Sequence, residues 1–244
     1  MALGEQPRWT VRPAVGAGVE IDVGLRDYML RIYNYMASGL ALTGIVAYAA
    51  AMGGADSFIA HIYRTPLMWL IILAPLGFVM VLSYGINRMQ ASTAQLLFWL
   101  FAGIMGLSMS TIFLVYTGAS IARVFFISAG TFAGISLYGY TTRRDLSGMG
   151  AFMFMGLIGI IIAMLVNMFL RSPALYFAIS VIGVLVFVGL TAWDTQRIKE
   201  MYYSYQYADG QTATKTAVMG ALSLYLDFIN LFMFLLQLFG TRRN

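Results

Sequence analysis

The sequence predicts an all-α membrane protein with seven transmembrane helices. Hydrophobic residues make up 60% of the 244 positions and charged residues only 10%, whereas a soluble domain carries about 25% charged residues. Seven apolar runs are long enough to cross a bilayer, which takes about 20 residues of helix. These runs are 30–52, 66–87, 94–116, 119–141, 149–170, 174–194 and 217–239.

Short turns rich in glycine, proline or charge separate most of the runs. They lie at Gly53-Gly54, Arg88-Met89-Gln90, Thr117-Gly118, Arg143-Arg144-Asp145 and Arg171-Ser172-Pro173. Only the Tyr-rich stretch 195–216 is long and polar enough to be predicted as a real loop. Because internal repeats are absent from the sequence, we predict one transmembrane domain over 28–244 after a polar cytosolic tail over 1–27.

The distribution of Lys and Arg predicts that the N-terminus is cytoplasmic. With that orientation, ten basic residues lie on the inner side and five on the outer side. The inner ones are Arg8, Arg12, Arg26, Arg31, Arg88, Arg143, Arg144, Arg197, Lys199 and Lys215, and the outer ones are Arg64, Arg123, Arg171, Arg242 and Arg243. If the seventh run folded back instead of crossing, Arg242 and Arg243 would also lie inside. The rule therefore leaves the side of the C-terminus open.

Composition excludes several classes of function. The chain has no cysteine, so disulfides and thiolate catalysis are excluded. Its net charge of +5 is spread thinly, which favours basic loops facing an anionic membrane surface and predicts no nucleic-acid partner. Retinal proteins need a lysine within the membrane, but Lys199 and Lys215 both lie in the predicted loop. A rhomboid-type serine protease needs a GxSG motif, which is absent.

The seventh run contains a polar stripe within an otherwise apolar helix. Its members are spaced by three, four or seven residues and so share one helix face: Ser223, Asp227, Asn230 and Gln237. A charged Asp at the bilayer centre costs roughly 2.5–3.5 kcal/mol on insertion scales. We therefore expect this stripe to face the protein interior or a hydrated path. The plainer alternative is a protonated, structural Asp227 bonded to a neighbouring helix.

Three further polar residues are candidates for the same path. Asp194 ends the sixth run, where the alternative is an interfacial ion pair with Arg197 or Lys199. Arg88 ends the second run and Asn167 lies in the fifth. Two carboxylates, with neutral oxygens nearby, predict a weak Ca²⁺ site at Asp194 and Asp227, and weak binding is what ion conduction requires.

Two aspartates on consecutive runs are also the pattern of intramembrane aspartyl proteases, in which the pair shares a proton. That class carries Gly-x-Gly before its second Asp, where this chain has Leu224-Tyr225-Leu226. Its Pro-Ala-Leu triplet follows the second catalytic helix, but Pro173-Ala174-Leu175 precedes the sixth run here. The protease is therefore the weaker alternative, and we predict no catalytic residue and no bound cofactor.

Three stretches resemble the Bax inhibitor-1 family. The last run, ALSLYLDFINLFMFLLQLFG, resembles the family's signature last helix, and GLTAWDTQRIK resembles its sixth helix. The stretch YGYTTRRDLSGMGAFMFMGLIG resembles its connection between the fourth and fifth helices. The resemblance covers about residues 25 to 240. The chain as a whole resembles the bacterial branch of the family, which implies an inner (plasma) membrane location.

The resemblance implies a seven-helix fold whose last helix is central and wrapped by the other six. It also implies a pH-sensitive calcium leak in which Asp194 and Asp227 sense protons, with Arg88 as a latch for Asp194. Bacterial members carry a Glu in the second helix where this chain has 74–78, Ala-Pro-Leu-Gly-Phe, which removes one expected pore-lining acid. The implied partners are the lipid bilayer, protons and Ca²⁺ as the transported ion. The alternative function is a regulator that binds other membrane proteins or proteases.

Overall fold

The computed structural model describes residues 22–205 and 209–243, and the regular structure of this part is helical apart from a single antiparallel bridge between Tyr116 and Arg242. Seven of the helices are long. They are joined by short helices and turns at the ends of the bundle. In chain order the helices are α1 Val23–Ala51, α2 Phe58–Ile62, α3 Leu67–Gly85, α4 Ala91–Met109, α5 Ile112–Val115, α6 Gly118–Thr141, α7 Ser147–Leu170, α8 Pro173–Tyr205 and α9 Gly210–Phe239.

Six helical stretches of the described part are long and apolar enough to cross a membrane, so the chain is an integral membrane protein. These are Leu67–Arg88, Ala91–Val115, Gly118–Thr141, Ser147–Leu170, Pro173–Tyr205 and Gly210–Phe239. The helix α1 is not among them, because Asn34, Ser38 and Thr43 dilute its apolar residues. The predicted count of seven is therefore not confirmed.

The predicted loop over 195–216 is wrong. The helix α8 continues to Tyr205 and α9 begins at Gly210, so most of this stretch extends two helices beyond their apolar parts. A polar composition ends the membrane-compatible part of a helix but does not end the helix itself. Asp209 begins α9 as its N-cap, accepting a hydrogen bond from the Thr212 backbone N–H at 3.1 Å.

The end of the predicted N-terminal tail overlaps the first helix. The helix α1 begins at Val23, where the Asp22 carboxylate accepts a hydrogen bond from the Leu25 N–H at 3.0 Å. Helix therefore starts before the predicted domain boundary at residue 28. Residues 1–21 of the predicted tail lie outside the described residues.

The last helix is the innermost of the six apolar stretches. It packs against α1, α4, α6 and α8, and 67% of its apolar 18-residue segment is buried. By contrast, α3 packs mainly against α4 and α7 mainly against α8, and only 11% of each corresponding segment is buried. The expected wrapping of α9 by all six other long helices is thus seen for four of them and stays a prediction for α3 and α7.

Asp22 and Thr241, near the two ends of the described part of the chain, lie at opposite ends of the bundle. At one end, the Tyr202 hydroxyl of α8 donates to Asp22, directly before α1. At the other, the Thr117 N–H donates to Thr241 O at 3.0 Å, so that the residues after α9 lie against the start of α6. The helix α9 therefore runs from one end of the bundle to the other.

Candidate functional site

Asp194 on α8 and Asp227 on α9 face each other inside the bundle. Their carboxyl groups are close enough to influence each other electrostatically. The two helices approach closely because Gly183 accommodates the ring of Phe234, and a side chain added there would lie 2.7 Å from that ring. The structure thus brings near each other the two carboxyl groups that the sequence analysis predicted as a pair.

The carboxyl group of Asp227 is the more enclosed of the two. The residue is 5% exposed, and its Oδ2 is buried with no hydrogen-bond partner among the described residues. Leaving a buried acceptor unsatisfied costs roughly 1–3 kcal/mol. An oxygen in this position can be satisfied by a proton shared with Asp194, a cation or a water molecule.

Asp194 has a charged partner that the sequence analysis gave only as an alternative. The Arg197 guanidinium lies 3.9 Å from the Asp194 carboxylate and 5.4 Å from the centre of the Trp193 ring. The Asp194 side chain is 15% exposed and that of Arg197 is 55% exposed. A long, half-exposed pair of this kind is weak. It leaves the carboxylate accessible from the end of the bundle where α8 and α9 are joined.

The structure does not bring Arg88 to Asp194. Arg88 is exposed at the end of the 3₁₀ turn that follows α3 and makes no salt bridge within the described part of the chain. The expected latch is therefore absent from this conformation, and Arg197 holds the position expected of Arg88. The spacing of three residues between Asp194 and Arg197 on one helix was the sequence signal for this contact.

The other members of the α9 stripe have separate partners or orientations. Asn230 donates from its side-chain amide to Leu226 O of the same helix at 2.8 Å. Gln237 accepts a hydrogen bond from Ser180 on α8 at 2.9 Å. Ser223 is half-buried one turn before Asp227. Of the stripe, Asp227 and Gln237 therefore meet α8, and Asp227 is its one ionisable member.

Asn167 lies away from the carboxyl pair. Its side-chain oxygen accepts a hydrogen bond from the Ser172 N–H at 3.0 Å, in the turn that joins α7 to α8. Asp194 lies about 30 Å further along α8 at 1.5 Å per residue. In this conformation Asn167 closes the end of α7 instead of lining a path beside Asp194 and Asp227.

Residues flanking Asp194 anchor this part of α8 to α6 and to the turn after it. Gln196 accepts from the Leu146 N–H at 2.8 Å and donates to Arg144 O at 2.7 Å. Lys199 donates to Tyr140 O at 2.9 Å. These three bonds, which the sequence analysis missed, attach α8 on either side of Arg197.

A chain of hydroxyl groups joins α8, at the residue after Asp194, to α6 and α1. Thr195 donates to Thr191 O at 2.8 Å, so Ser136 must donate to Thr195 at 2.9 Å and Tyr33 to Ser136 at 2.5 Å. Each of the three hydroxyl groups uses its proton in one of these hydrogen bonds, and the series of bonds ends at a backbone carbonyl. It therefore fixes α1, α6 and α8 relative to one another and does not deliver protons to Asp194.

The described residues contain no cluster of three or more His, Cys, Asp or Glu side chains suited to a metal ion. A cation at the pair would therefore meet two carboxylates, with neutral oxygens supplying the rest of its coordination. Calcium prefers six to eight oxygen ligands. The two carboxylates alone therefore supply fewer ligands than calcium prefers.

Comparison with known proteins gives the family. The family model described as inhibitor of apoptosis-promoting Bax1 matches residues 25–244. The chain belongs to the Bax inhibitor-1 family. The resemblance drawn from the three stretches of the sequence is confirmed.

Bacterial relatives of this Bax inhibitor-1 chain are similar along nearly their whole length. A protein of Rickettsia prowazekii named RP147 is 50% identical over 223 residues, covering 91% of this chain and 93% of the relative. The inner membrane protein YbhL of Escherichia coli is 49% identical over 225 residues, covering 92% and 96%. A protein of Caulobacter vibrioides is 43% identical over 239 residues, covering 95% of each.

Proposed function

We propose that this member of the Bax inhibitor-1 family is a slow, pH-dependent calcium pathway controlled by protonation of Asp194 and Asp227. The observation that supports this most directly is the meeting of two carboxyl groups from α8 and α9, one with a buried, unpartnered oxygen. Two carboxyl groups held together in a low-dielectric interior share a proton more readily than both ionise. They titrate as a unit, so one proton changes the whole site.

Loss of the shared proton would leave two negative charges side by side. Repulsion between them favours separation of α8 and α9, and a divalent cation at the pair offsets that repulsion. Ca²⁺ held by two carboxylates with water completing its shell dissociates readily, as conduction requires. Ser223, next along the same face of α9, is the neutral oxygen that we propose to extend the path.

In this proposal Arg197 and Arg88 compete with the cation for the carboxylate of Asp194. Arg197 already pairs with Asp194, and its exposed position allows it to swing away into water. Arg88 would reach Asp194 only if α3 moved towards α8, so its latch role belongs to a second conformation. Neutralising Arg197 is therefore expected to raise calcium flux in this conformation more than neutralising Arg88.

We also propose that α1 is a seventh span and that the protein lies in the bacterial inner membrane with its N-terminus in the cytoplasm. The helix has 29 residues, about 43 Å at 1.5 Å per residue, and it packs against α4 and α9 inside the bundle. The location is supported by the relative YbhL, which is named an inner membrane protein. On this proposal the protein is not an enzyme and holds no cofactor.

Calcium flux into liposomes containing only the purified protein tests the function. We expect the wild type to carry Ca²⁺ with a pH-dependent rate, and Asp194→Asn and Asp227→Asn each to change the rate and remove its pH dependence. The matched control is Asp145→Asn, an exposed Asp in the turn before α7, which should keep the wild-type profile. Unchanged flux and pH profile in both pair variants would contradict the proposal.

The same preparation distinguishes the two alternatives. No flux from pure wild-type protein, together with a membrane-protein partner that co-purifies with it, would favour the regulatory role. Cleavage of a transmembrane substrate that is abolished by Asp194→Ala or by Asp227→Ala would favour the aspartyl protease. Either result would replace the calcium pathway.

A further inference from the structure

A polar groove opens between α1 and α4 at the end of the bundle where α1 begins. It has a volume of about 630 Å³ and is lined by residues that include Asp27, Arg31, Asn34 and Tyr35 of α1 and Gln95 and Trp99 of α4. By the distribution of basic residues, this end lies at the cytoplasmic leaflet. The groove is separate from Asp194 and Asp227, and neither residue lines it.

The polar groups of the groove face outward from a membrane-embedded bundle. Asp27, Arg31 and Asn34 follow one another at spacings of four and three residues along one exposed face of α1. Asp27 and Arg31 form no salt bridge with each other or with another described residue. Charged side chains at the membrane surface attract opposite charges from the lipid head groups. A ligand that supplies complementary charges in the same order would therefore bind along this face.

The order of these groups along α1 matches the order of groups in an amine-bearing phospholipid. Asp27 lies about 6 Å beyond Arg31 towards the water, and Arg31 lies about 4.5 Å beyond Asn34, at 1.5 Å per residue. A phospholipid with an ammonium head group presents the ammonium outermost, then the phosphate, then the ester oxygens, then the chains. An acidic, a basic and an amide side chain therefore occur in the sequence that this molecule requires.

Two aromatic residues complete the match. The Gln95 side-chain amide donates to the Tyr35 hydroxyl oxygen at 2.5 Å, which leaves the phenolic proton of Tyr35 free to donate to a phosphate or ester oxygen. Trp99 packs beside Tyr35, with 6.4 Å between the ring centres. Tyr and Trp are the residues that settle at the level of lipid head groups.

We propose that this groove binds a phospholipid with a primary ammonium head group, namely phosphatidylethanolamine from the leaflet that the groove faces. Asp27 accepts hydrogen bonds from the ammonium, while Arg31 and Tyr35 donate to the phosphate. Asn34 lies at the level of the esters. A primary ammonium has three N–H donors for Asp27, whereas the quaternary ammonium of phosphatidylcholine has none. Phosphatidylglycerol offers the phosphate without any cation.

Lipid retention measured by native mass spectrometry of the full-length protein tests this assignment. After exposure to equal amounts of phosphatidylethanolamine, phosphatidylcholine and phosphatidylglycerol, we expect the wild type to retain the first roughly two- to fivefold better than the other two, as for an exposed charge pair. Asp27→Asn should remove this preference while keeping basal retention. Arg31→Gln should lower retention of all three lipids, and Arg31→Lys should preserve most of it.

Arg26→Gln is the matched control, because Arg26 is an exposed arginine next to Asp27 that does not line the groove. It should leave both retention and preference unchanged. Equal retention of the three lipids by the wild type, or the same loss in Arg26→Gln as in Arg31→Gln, would overturn the proposal. A dimeric wild type and a monomeric Arg31→Gln variant, with lipid retention unchanged, would instead assign the groove to contact between two copies of the chain.

Discussion

The helices α7 and α9 are arranged in the opposite way to helices of a water-soluble protein. The more apolar helix, α7, lies on the outside, and the less apolar helix, α9, lies inside. The most apolar window of α7 has a mean hydropathy of 2.5 and is only 11% buried, whereas that of α9 has a mean hydropathy of 1.8 and is 67% buried. In lipid the most apolar helix loses nothing by facing outward, since lipid tails are as apolar as Leu. The helix with polar groups to satisfy is the one that must be inside.

The polar content of α9 explains its position. Tyr225, Asp227 and Gln237 each direct a polar atom at a neighbouring helix, through Thr43 of α1 and through Asp194 and Ser180 of α8. The single Asn of α7 bonds instead to the turn at its own end. Hydropathy therefore identifies spans in this family member, and polar periodicity identifies which spans are inner.

The largest expected effect comes from emptying the core where α9 packs against α1 and α4. Tyr225 is fully buried, its ring packs edge-on against Phe98 and Phe101, and its hydroxyl lies 2.7 Å from that of Thr43. Tyr225→Ala should lower the free energy of unfolding by about 3–5 kcal/mol, because it leaves a cavity and removes a buried hydrogen bond. Thermal unfolding in detergent measures this loss.

The matched change on the outer helix is Phe154→Ala in α7, where the side chain is 53% exposed. It should change the free energy of unfolding by no more than about 0.5 kcal/mol, as is usual for surface substitutions. Equal losses from Tyr225→Ala and Phe154→Ala would show that α7 is as enclosed as α9, for example by contact with another copy.

A smaller contrast can be made within α6, which has an inner and an outer face. A side chain added at Gly139 would collide with the backbone of Ala192 on α8, whereas one added at Gly134 would meet nothing within 4 Å. Gly139→Leu should therefore destabilise the protein by about 1–3 kcal/mol through overpacking. Gly134→Leu should be nearly neutral or slightly stabilising, since Leu is the better helix former. Comparable thermal unfolding of the two variants would contradict this assignment of faces.

The sequence predicts much of this architecture because each span needs about 20 apolar residues, which leaves a clear pattern. Six of the seven predicted runs coincide with stretches that meet the criterion of length and hydropathy. The positions of Asp194 and Asp227 on neighbouring helices could also be predicted. The loop over 195–216 could not, because hydropathy reports the lipid-facing part of a helix and is silent on its continuation into water.

The partners of the site were harder to predict than its members. Arg197 was visible three residues after Asp194, whereas Arg88 was a candidate only through the family resemblance, and the fold places Arg88 elsewhere. The hydroxyl chain of Tyr33, Ser136 and Thr195 joins three helices far apart in sequence. Such bonds depend on the packing of helices, and no local spacing encodes them.

The smallest expected effect lies outside the membrane, at the starts of these same two helices. Asp209 accepts hydrogen bonds from Thr212 before α9, and Asp145 accepts from the Ser147 N–H before α7. Hydrogen bonds from the Thr212 side chain and backbone lower the pKa of Asp209 from its ordinary value of 3.8, and the Ser147 backbone N–H chiefly lowers that of Asp145. Both carboxylates are fully exposed, so the depth of their helices should not matter.

Asp209→Ala and Asp145→Ala are therefore expected to give similar, small decreases in Tm at neutral pH. A carboxylate whose pKa is lowered by folding stabilises the protein above its unfolded pKa and stops doing so as the pH falls through its folded pKa. The Tm difference from wild type should accordingly be constant above about pH 5, which is about one unit above the ordinary pKa of an Asp. The difference should shrink as the pH falls below 3.8. Thermal unfolding across this range measures it. A much larger decrease for Asp209→Ala than for Asp145→Ala would show that the inner position of α9 extends to its capped end, and not only to the part within the membrane.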